Sequence, residues 1–362
     1  ENSLKHLNAI NKLISARVGA LQSIHDHFDG DWEKAWHSDL IKFAQDETGK
    51  AKPPVDFTRL KKAIDPDSEW KKLEKEKIGL VTIFDKEYPK LLTHISHPPF
   101  LLYIKGSVGV WKNKCFGVVG TRALSEYGKR AAPHITLDLA RAGLTIVSGL
   151  ATGIDTLAHK AALEAGAKTI AVLGTGIDEK TLYPQLNLPL ARKIVEKGGA
   201  VISEYAPGTH GTKFSFPQRN RIISGLSKGV LVVEADHISG AMITAKCALE
   251  QNRDVFALPG SIFAKTSEGA NSLIQKGAKL VACADDILEE YGLESKKMKK
   301  IIRAESPEEE KILAVLTSGP AMADDIIRKT GMDAPQVNAT LMIMEIGKKI
   351  KNLGGGKFVF YE

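Results

Sequence analysis

The sequence predicts an α/β fold in which a doubly wound, mostly parallel sheet lies between a helical domain and a winged helix. Three observations predict it. Residues 1–75 carry apolar side chains at helical spacing, residues 76–294 alternate short apolar runs with helical stretches, and residues 306–362 contain three helical stretches before a glycine-containing hairpin. Short strands separated by helices are typical of parallel βαβ units.

The helical prediction for residues 1–75 depends on two apolar stripes with the three- and four-residue spacing of one helix face. The first stripe comprises Leu4, Leu7, Ile10, Leu13 and Ile14, and the second comprises Trp32, Trp36, Leu40 and Phe43. Phe28-Asp29-Gly30-Asp31 between them is typical of a break followed by an N-cap. We expect a small helical bundle without a catalytic pattern.

Seven apolar runs of residues 76–294 have the length of buried strands. They are Phe116–Val119, Leu144–Ser148, Thr169–Leu173, Ala200–Ser203, Gly229–Val233, Asp254–Ala257 and Leu280–Ala282. Helices fit between them at Tyr127–Ala142, Asp155–Ala165, Leu188–Lys197 and Ala241–Gln251. Ligands of such sheets bind beyond the carboxyl ends of the strands. Glycines follow the first three predicted strands there, at Gly120, Gly149, Gly153, Gly174 and Gly176.

A lysine-rich segment, residues 295–305, is predicted to link this sheet domain to residues 306–362. Helical stretches at Pro307–Leu316, Met322–Thr330 and Pro335–Ile346 precede Lys349–Tyr361, where three glycines separate two β-prone runs. Three helices and a terminal hairpin describe a winged helix, which we predict for residues 306–362.

The composition limits the class of protein. The chain has 362 residues and a formal net charge of +7, which permits a nucleic-acid partner without requiring one. Its three cysteines lie far apart with no CxxC or Cys/His spacing, so we predict neither a disulfide framework nor a metal site. No apolar stretch reaches membrane-spanning length, and we expect a cytoplasmic protein without membrane insertion.

Two glycine-containing turns could approach a phosphate. Gly120-Thr121-Arg122 follows the first predicted strand, where a tight turn leaves N–H groups for an anion and Arg122 could add its guanidinium. A strand-to-helix turn with a surface arginine explains this short motif equally well. Ser148-Gly149 through Gly153-Ile154-Asp155 follows the second strand in the same way.

Catalytic patterns are sparse. Asp155 and His159 are four residues apart and could share a helix face, but a cap and an orienting contact explain them better than an acid–base pair. Gly174-Thr175-Gly176 lacks the third glycine of a dinucleotide fingerprint, and the sequence contains neither a P-loop nor HExxH. We therefore predict no catalytic residue, no cofactor and no metal, and expect that the protein is not an enzyme.

The segment from Lys213 to Arg221 is the richest in groups that bind nucleic acid. It combines three cations with two phenylalanines: Lys213, Phe214, Phe216, Arg219 and Arg221. Cations neutralise phosphates and aromatic rings stack on unpaired bases, so the combination favours single-stranded over double-stranded DNA. A core phenylalanine beside solvated arginines is the alternative explanation. Farther along, Ser239-Gly240 opens a helix and could add N–H donors to the same crevice.

The order of motifs through the central block resembles that of the DNA-processing protein A family (DprA, also called Smf). The motifs are Tyr88-Pro89 with Pro98-Pro99, Gly120-Thr121-Arg122 with Ser125-Glu126-Tyr127-Gly128, Ser148-Gly149 through Gly153-Ile154-Asp155 with Ala158-His159, Gly174-Thr175-Gly176, Tyr183-Pro184, Ser203-Glu204, Phe216-Pro217 to Asn220-Arg221, Ser239-Gly240 and Leu258-Pro259-Gly260. The resemblance covers nearly all of that block, and the recurrence of several motifs in order makes it specific.

The resemblance implies a dimeric protein that binds and protects single-stranded DNA and helps load RecA recombinase, as in natural transformation. It implies a SAM-like N-terminal domain, an extended Rossmann-like domain and, in some members, a winged helix. The DNA-contacting candidates that it transfers are Arg122, Lys213, Phe216, Arg219, Asn220 and Arg221. Backbone contacts to phosphate are expected at Gly120, Gly149, Gly153, Gly174, Gly176, Ser239 and Gly240. Ala241 departs from the hydroxyl residue expected after Ser-Gly, which leaves a side-chain contact there in doubt.

Two other functions stay open at this point. Related Rossmann-like proteins cleave nucleotides at the glycosidic bond with a P-G-G-x-G-T-x-x-E loop, of which Gly174 to Glu179 is only a loose echo. A regulator that reads duplex DNA through its winged helix is the second alternative. Its recognition helix, Pro335–Ile346, contains neither arginine nor lysine, which disfavours contacts to bases or phosphates.

Overall fold

The computed structural model describes residues 2–17, 19–44, 57–294, 304–317, 319–347 and 349–360. The chain divides into two units, Glu1–Lys296 and Lys297–Glu362. The predicted boundary at residue 75 falls inside the first unit and stays a prediction. Most of the predicted lysine-rich linker, residues 295–303, lies outside the described residues.

The first unit contains helices on both sides of a central sheet. Its α-helices are α1 Asn2–Ile14, α2 Ala20–Phe28, α3 Trp32–His37, α4 Phe57–Ala63, α5 Pro66–Lys75, α6 Glu126–Arg141, α7 Ile154–Glu164, α8 Leu188–Glu196, α9 Ser215–Leu226, α10 Gly240–Glu250, α11 Glu268–Gln275 and α12 Asp285–Leu288. Its strands are β1 Gly79–Thr82, β2 Leu101–Gly106, β3 Cys115–Val119, β4 Thr145–Ser148, β5 Thr169–Leu173, β6 Ala200–Ser203, β7 Gly229–Val232, β8 Asp254–Ala257 and β9 Lys279–Leu280.

Within the described residues these strands form one sheet in the order β1-β2-β6-β5-β4-β3-β7-β8-β9. The pairs from β6 to β9 are parallel, whereas β2 pairs antiparallel with β6 and β1 antiparallel with β2. The chain runs outward from β3 to β6 and returns to β7, which lies beside β3. The predicted doubly wound, mostly parallel sheet is confirmed.

The parallel strands form because their residues are apolar on both faces. All residues of β3, β4, β5 and β6 are buried, as expected where helices cover both sides of a parallel sheet. All seven predicted strands are present within two residues of their predicted bounds. The antiparallel strands β1 and β2 and helix α9 are additional to the prediction.

The helices of residues 2–75 share a hydrophobic core with the sheet. Leu7, Ile10 and Leu13 of α1 lie in the same cluster as Leu101 of β2. Buried hydrogen bonds accompany this packing: Tyr103 Oη donates to Asn8 Oδ1 at 2.8 Å, and Asn11 Nδ2 donates to the Glu204 carbonyl at 3.1 Å. Buried polar groups that find partners in this way fix one arrangement of helix and sheet.

The second unit is the predicted winged helix. It contains α13 Pro307–Leu316, β10 Ala321–Met322, α14 Ala323–Thr330, α15 Ala334–Ile346, β11 Ile350–Asn352 and β12 Lys357–Phe360. Its strands form a small antiparallel sheet in the order β10-β12-β11. Ile312, Ile326, Val337 and Leu341 from the three helices form its core with Phe358. Among the described helices of the whole chain, none combines the length and apolarity that crossing a membrane requires.

Candidate nucleic-acid interface

A pocket of about 110 Å³ opens at the carboxyl ends of β3 and β4. Its lining residues are Arg122, Gly149, Ala151, Thr152, Tyr183, Pro184, Phe216 and Arg219. Arg122 follows β3, Gly149 follows β4, and α9 supplies Phe216 and Arg219. The structure therefore brings together the two cationic segments that the sequence analysis placed far apart along the chain.

Arg122 and two aromatic rings form the open side of this pocket. The Arg122 guanidinium carbon lies 5.8 Å from the centroid of the Phe216 ring. The Tyr183 ring packs against the Phe216 ring, with 5.6 Å between the ring centroids and 52° between the ring planes. Arg122 is exposed, and no acidic side chain of the described residues pairs with it. The pocket thus offers an unneutralised cation beside an aromatic face, an arrangement that is favourable by itself.

Lys213 and Phe214 extend this surface at the N-terminus of α9. Phe214 is 71% exposed, and Lys213 Nζ lies 5.1 Å from its ring centroid. Lys213 is also exposed and without an acidic partner among the described residues. We call Arg122, Tyr183, Lys213, Phe214 and Phe216 the cation–aromatic surface. The sequence analysis did not select Tyr183 or Phe214 as contacts, although both belong to segments that it quoted.

The Phe216 ring is held against two glycines. A Cβ at Gly174 would lie 2.9 Å from Phe216 Cδ1, and one at Gly211 would lie 2.5 Å from Phe216 Cζ. A side chain at either position would therefore displace the ring. Packing against Phe216 accounts for Gly174, and its expected contact to phosphate stays a prediction.

Arg219 is buried below the pocket and not free for a phosphate. It is 5% exposed, and its Nη1 donates to the Gly149 carbonyl at 2.7 Å and to the Val172 carbonyl. Burial lowers the pKa of Arg219 to about 10, so the group stays charged at neutral pH. A Cβ at Gly149 would lie 2.6 Å from Arg219 Nη2, which explains the glycine. We infer that Arg219 positions the pocket wall.

Asp155 completes this buried cluster. Its Oδ2 accepts hydrogen bonds from the backbone N–H groups of Gly149 at 3.1 Å and of Ala151 at 3.4 Å. Burial raises the pKa of Asp155, and the nearby Arg219 charge opposes that shift. Asp155 is not the N-cap of α7, which is Gly153; it closes the β4–α7 turn from inside because the turn directs two N–H groups at it.

Asn220 and Arg221 also make internal contacts. Asn220 Nδ2 donates to the Gly240 carbonyl at 3.1 Å, and its Oδ1 accepts from Arg219 Nε at 3.1 Å. Arg221 Nη2 donates to Glu204 Oε1 at 2.7 Å, in an ion pair whose side chains are 12% and 7% exposed. Contacts of these two residues to DNA stay predictions, and both the pairing and the burial argue against them.

The other crevice glycines and Ser239 have structural partners as well. A Cβ at Gly120 would lie 2.5 Å from Ile154 Cγ1, and Gly153 has φ +86° with the Thr121 carbonyl where a Cβ would stand. Gly176 N–H donates to the Thr209 carbonyl at 2.7 Å. Ser239 caps α10 by accepting from Ala241 N–H at 3.3 Å. Open space surrounds the Cβ direction of Gly240.

Glu234 is an organising residue that the sequence analysis missed. It is buried and lies just after β7, the strand that pairs in parallel with β3. Its carboxylate accepts hydrogen bonds from Ser125 Oγ and from Thr266 Oγ1, and its carbonyl accepts from Thr121 N–H at 2.7 Å. These contacts fix the turn that carries Arg122. The available signal was an acidic residue directly after an apolar strand.

His159 is a core residue. It is fully buried, and its Nδ1 lies 2.7 Å from Thr169 Oγ1. That hydroxyl donates to the Ile146 carbonyl, so it accepts from His159 Nδ1–H. Burial, with a smaller contribution from Arg219, lowers the pKa of His159 to about 3. A neutral, solvent-inaccessible imidazole supports the structural interpretation of the Asp155/His159 spacing over the acid–base one.

Replacing Arg219 tests its assignment as a positioning residue. Arg219→Met should lower the free energy of unfolding by about 3–5 kcal/mol, because it leaves Asp155 as an uncompensated buried charge. Arg122→Met, at an exposed position, should change it by less than about 0.5 kcal/mol. Urea unfolding followed by circular dichroism measures both values. Equal stability of the two variants would contradict a structural role for Arg219.

Comparison with known proteins agrees with the resemblance in the sequence. The family model for DNA recombination-mediator protein A matches residues 79–292, and the model for the DprA winged helix domain matches residues 296–356. DNA processing protein DprA from Streptococcus pneumoniae is 47% identical over 218 residues, which are 60% of this chain and 76% of that protein.

Two solved structures resemble the fold. The X-ray structure of DNA processing protein A from Streptococcus pneumoniae covers 78% of this chain and 97% of that chain, with a TM-score of 0.64 and 39% identity. A structure of DNA processing protein A from Helicobacter pylori, which addresses the single-stranded DNA binding mode of that protein, covers 59% of this chain and 95% of that chain, with a TM-score of 0.53 and 29% identity. The chain therefore belongs to the DNA recombination-mediator protein A (DprA) family.

Proposed function

We propose that this protein binds single-stranded DNA on the cation–aromatic surface and presents it to RecA recombinase, as in natural transformation. One observation carries the proposal: the unpaired Arg122 guanidinium lies over the half-buried Phe216 ring in an open pocket. An unpaired base can stack on an aromatic face while the cation neutralises the adjoining phosphate. A duplex hides its base faces and could use only the charge.

The related Helicobacter pylori protein supports the choice of ligand, since its structure concerns single-stranded DNA binding. The family description supports the role in recombination. The winged helix supports protein contacts over duplex reading, because α15 contains no basic residue and exposes Met342, Ile343 and Ile346. Co-sedimentation of the purified protein with RecA tests that partnership, and its failure at micromolar concentrations of both would contradict it.

We further propose a homodimer that works in the cytoplasm. Cys115, Cys247 and Cys283 are free thiols, which suits a reducing compartment. Ile238 in the loop after β7 and Ile262 and Phe263 in the loop after the neighbouring β8 are 89%, 82% and 93% exposed. Exposed apolar side chains in adjacent loops are typical of an association surface.

We propose a binding protein without catalytic activity. Three acidic groups that follow the central strands are already engaged: Asp155 accepts two backbone N–H bonds beside Arg219, Glu234 accepts from Ser125 and Thr266, and Glu179 pairs with Arg192 at 2.7 Å. Asp155 and Glu234 are buried, and Glu179, the glutamate of the 174–179 loop, accepts hydrogen bonds from both Nε and Nη2 of Arg192.

The salt dependence of binding should separate the outward cations from the buried ones. Each phosphate contact lowers the slope of log affinity against log salt concentration by about 0.7. Four contacting cations would therefore give a slope near −2.8, whereas Arg122 and Lys213 alone would give about −1.4. The double variant Arg122→Ala/Lys213→Ala should therefore reduce the slope by about 1.4 in fluorescence anisotropy with a labelled oligonucleotide. Arg328→Ala, a 76% exposed cation of the second unit, is the control. An unchanged slope in the double variant would overturn the electrostatic part of the proposal.

The aromatic part predicts a loss from Phe216. Phe216→Ala should weaken single-strand binding by about 1–3 kcal/mol through lost stacking. Phe216→Leu keeps apolar packing against Gly174 and Gly211 and should lose a similar amount if stacking is the cause. Phe84→Ala, at a position 61% exposed after β1, is the control. Normal binding by both Phe216 variants would make that phenylalanine a packing residue only.

Incubation with nucleoside 5′-monophosphates tests the non-enzymatic assignment. We expect no free base above the buffer background in chromatography, since the buried carboxylates are already hydrogen-bonded. Release at a catalytic rate, lost in Glu179→Gln, would replace the binding proposal with nucleotide cleavage.

The dimer proposal predicts a mass change. Sedimentation equilibrium of the native protein should give twice the 39.3 kDa chain mass, and Phe263→Glu should give the monomer because a charge on the interface must be desolvated. Leu186→Glu, at another exposed apolar position, should stay dimeric. A Phe263→Glu dimer of unchanged affinity would exclude this surface.

A further inference from the structure

We infer that His6, Glu33 and His37 form a binding site for a divalent transition-metal ion, best suited to Zn²⁺, between α1 and α3. One ligand atom of each side chain lies within 4.8 Å of the other two. This site is separate from the cation–aromatic surface and does not depend on the proposed DNA binding.

The fold itself creates this juxtaposition. Glu33 and His37 are four residues apart on α3 and therefore share one helix face, which is exposed because Ala35 and Trp36 turn toward the core. His6 comes from α1, whose neighbouring residue Leu7 is fully buried in the same core. Packing of the two helices through that core sets the distance between the ligands.

The donor set matches zinc better than the common hard cations. Two imidazole nitrogens and one carboxylate oxygen are typical zinc ligands, whereas Mg²⁺ and Ca²⁺ prefer oxygen alone. Zinc–ligand bonds of about 2.0–2.2 Å place tetrahedral ligand atoms roughly 3.4 Å apart. Binding would therefore have to bring the ligand atoms of the exposed Glu33 and His37 side chains closer than the 4.8 Å limit within which they now lie. Three protein ligands leave the fourth position for water.

The burial of His6 distinguishes this group from a chance meeting of surface charges. His6 is 5% exposed, and its ring centroid lies 6.1 Å from that of His37. Glu33 is the carboxylate of this group, since one of its oxygens lies within 4.8 Å of a ring nitrogen of each histidine. Ligand spacing along the chain predicts no metal here, because His6 and His37 come from different helices.

Metal binding would join α1 to α3 and thereby stabilise the helical segment. α1 also carries Asn8 and Asn11, whose hydrogen bonds attach it to Tyr103 and to the Glu204 carbonyl of the sheet domain. Because an ion that binds only the folded state stabilises it by mass action, zinc should raise the unfolding temperature of the native chain.

Metal titration of the full chain, freed of any affinity tag and of bound metal by chelator, tests the site. We expect Zn²⁺ to bind in calorimetry with one ion per chain and Co²⁺ to give the visible absorption of a tetrahedral site. Glu33→Gln and His37→Ala, both at exposed positions, should each weaken binding at least tenfold and abolish the zinc-dependent rise in unfolding temperature. His94→Ala, another exposed histidine, is the matched control and should behave as the native chain.

Each alternative outcome overturns the inference. Native affinity in both ligand variants would place the ion elsewhere, and loss of binding in His94→Ala alone would identify a different site. If no Zn²⁺ bound at a concentration of about 100 μM, the site would be excluded, because structural zinc sites bind the ion far more tightly than that.

Discussion

A single buried guanidinium holds together the segments from which the candidate interface is built. Arg219 on α9 donates to the Gly149 carbonyl after β4 and to the Val172 carbonyl within β5, and its Nε donates to Asn220 Oδ1 of the same helix. Removing a charged group from water is costly, and these acceptors together with the Asp155 carboxylate offset that cost. Because α9 is fixed to the ends of β4 and β5, Phe216, which lies one turn before Arg219 on the same helix, is placed at the opening of the pocket.

A second buried group fixes the turn that carries Arg122. Glu234 collects hydrogen bonds from Ser125, Thr266 and the backbone of Thr121, which holds the turn after β3 and leaves Arg122 exposed. The two organising charges have opposite signs: Arg219 lines the pocket, and Glu234 lies beneath the turn that carries Arg122. Their own donors and acceptors are consumed within the protein, so the cation–aromatic surface is left as the group available to a ligand.

The sequence predicted the frame more completely than the side-chain roles. Buried parallel strands are continuous apolar runs and were recognised as such, whereas β1 and β2 lie in a proline-rich stretch around Pro98 and pair antiparallel at the sheet edge, where the pattern is weaker. The winged helix was recognised because α13, α14 and α15 are separate helices whose ends carry residues typical of helix caps, such as Ser306, Gly331 and Asp333. For the interface, the sequence identified the 213–221 segment. It could not tell which cations of that segment are exposed and which are paired inside the protein.

Whether each cation is exposed or paired depends on partners that are close in space but distant along the chain. Lys213, Arg219 and Arg221 look equivalent in a list of basic residues, yet Arg221 pairs with Glu204 and Arg219 with two carbonyls, while Lys213 has no acidic partner among the described residues. Glu204 lies seventeen residues from Arg221 and Gly149 seventy residues from Arg219. Helical periodicity could not resolve the question either, because the backbone path of the β4–α7 turn decides which face of α9 meets a carbonyl.

In the proposed complex with single-stranded DNA, the buried arginine would act through its charge. Arg122 is among the groups that lower the pKa of Arg219, which means that the two guanidinium groups repel each other across the pocket wall. Asp155 balances one of these positive charges, and the second has no acidic partner among the described residues. A phosphate bound at the entrance, as proposed, would relieve that repulsion as well as forming its own contacts. Screening by water is weak near a buried charge, so Arg219 favours an anion at the pocket without touching it.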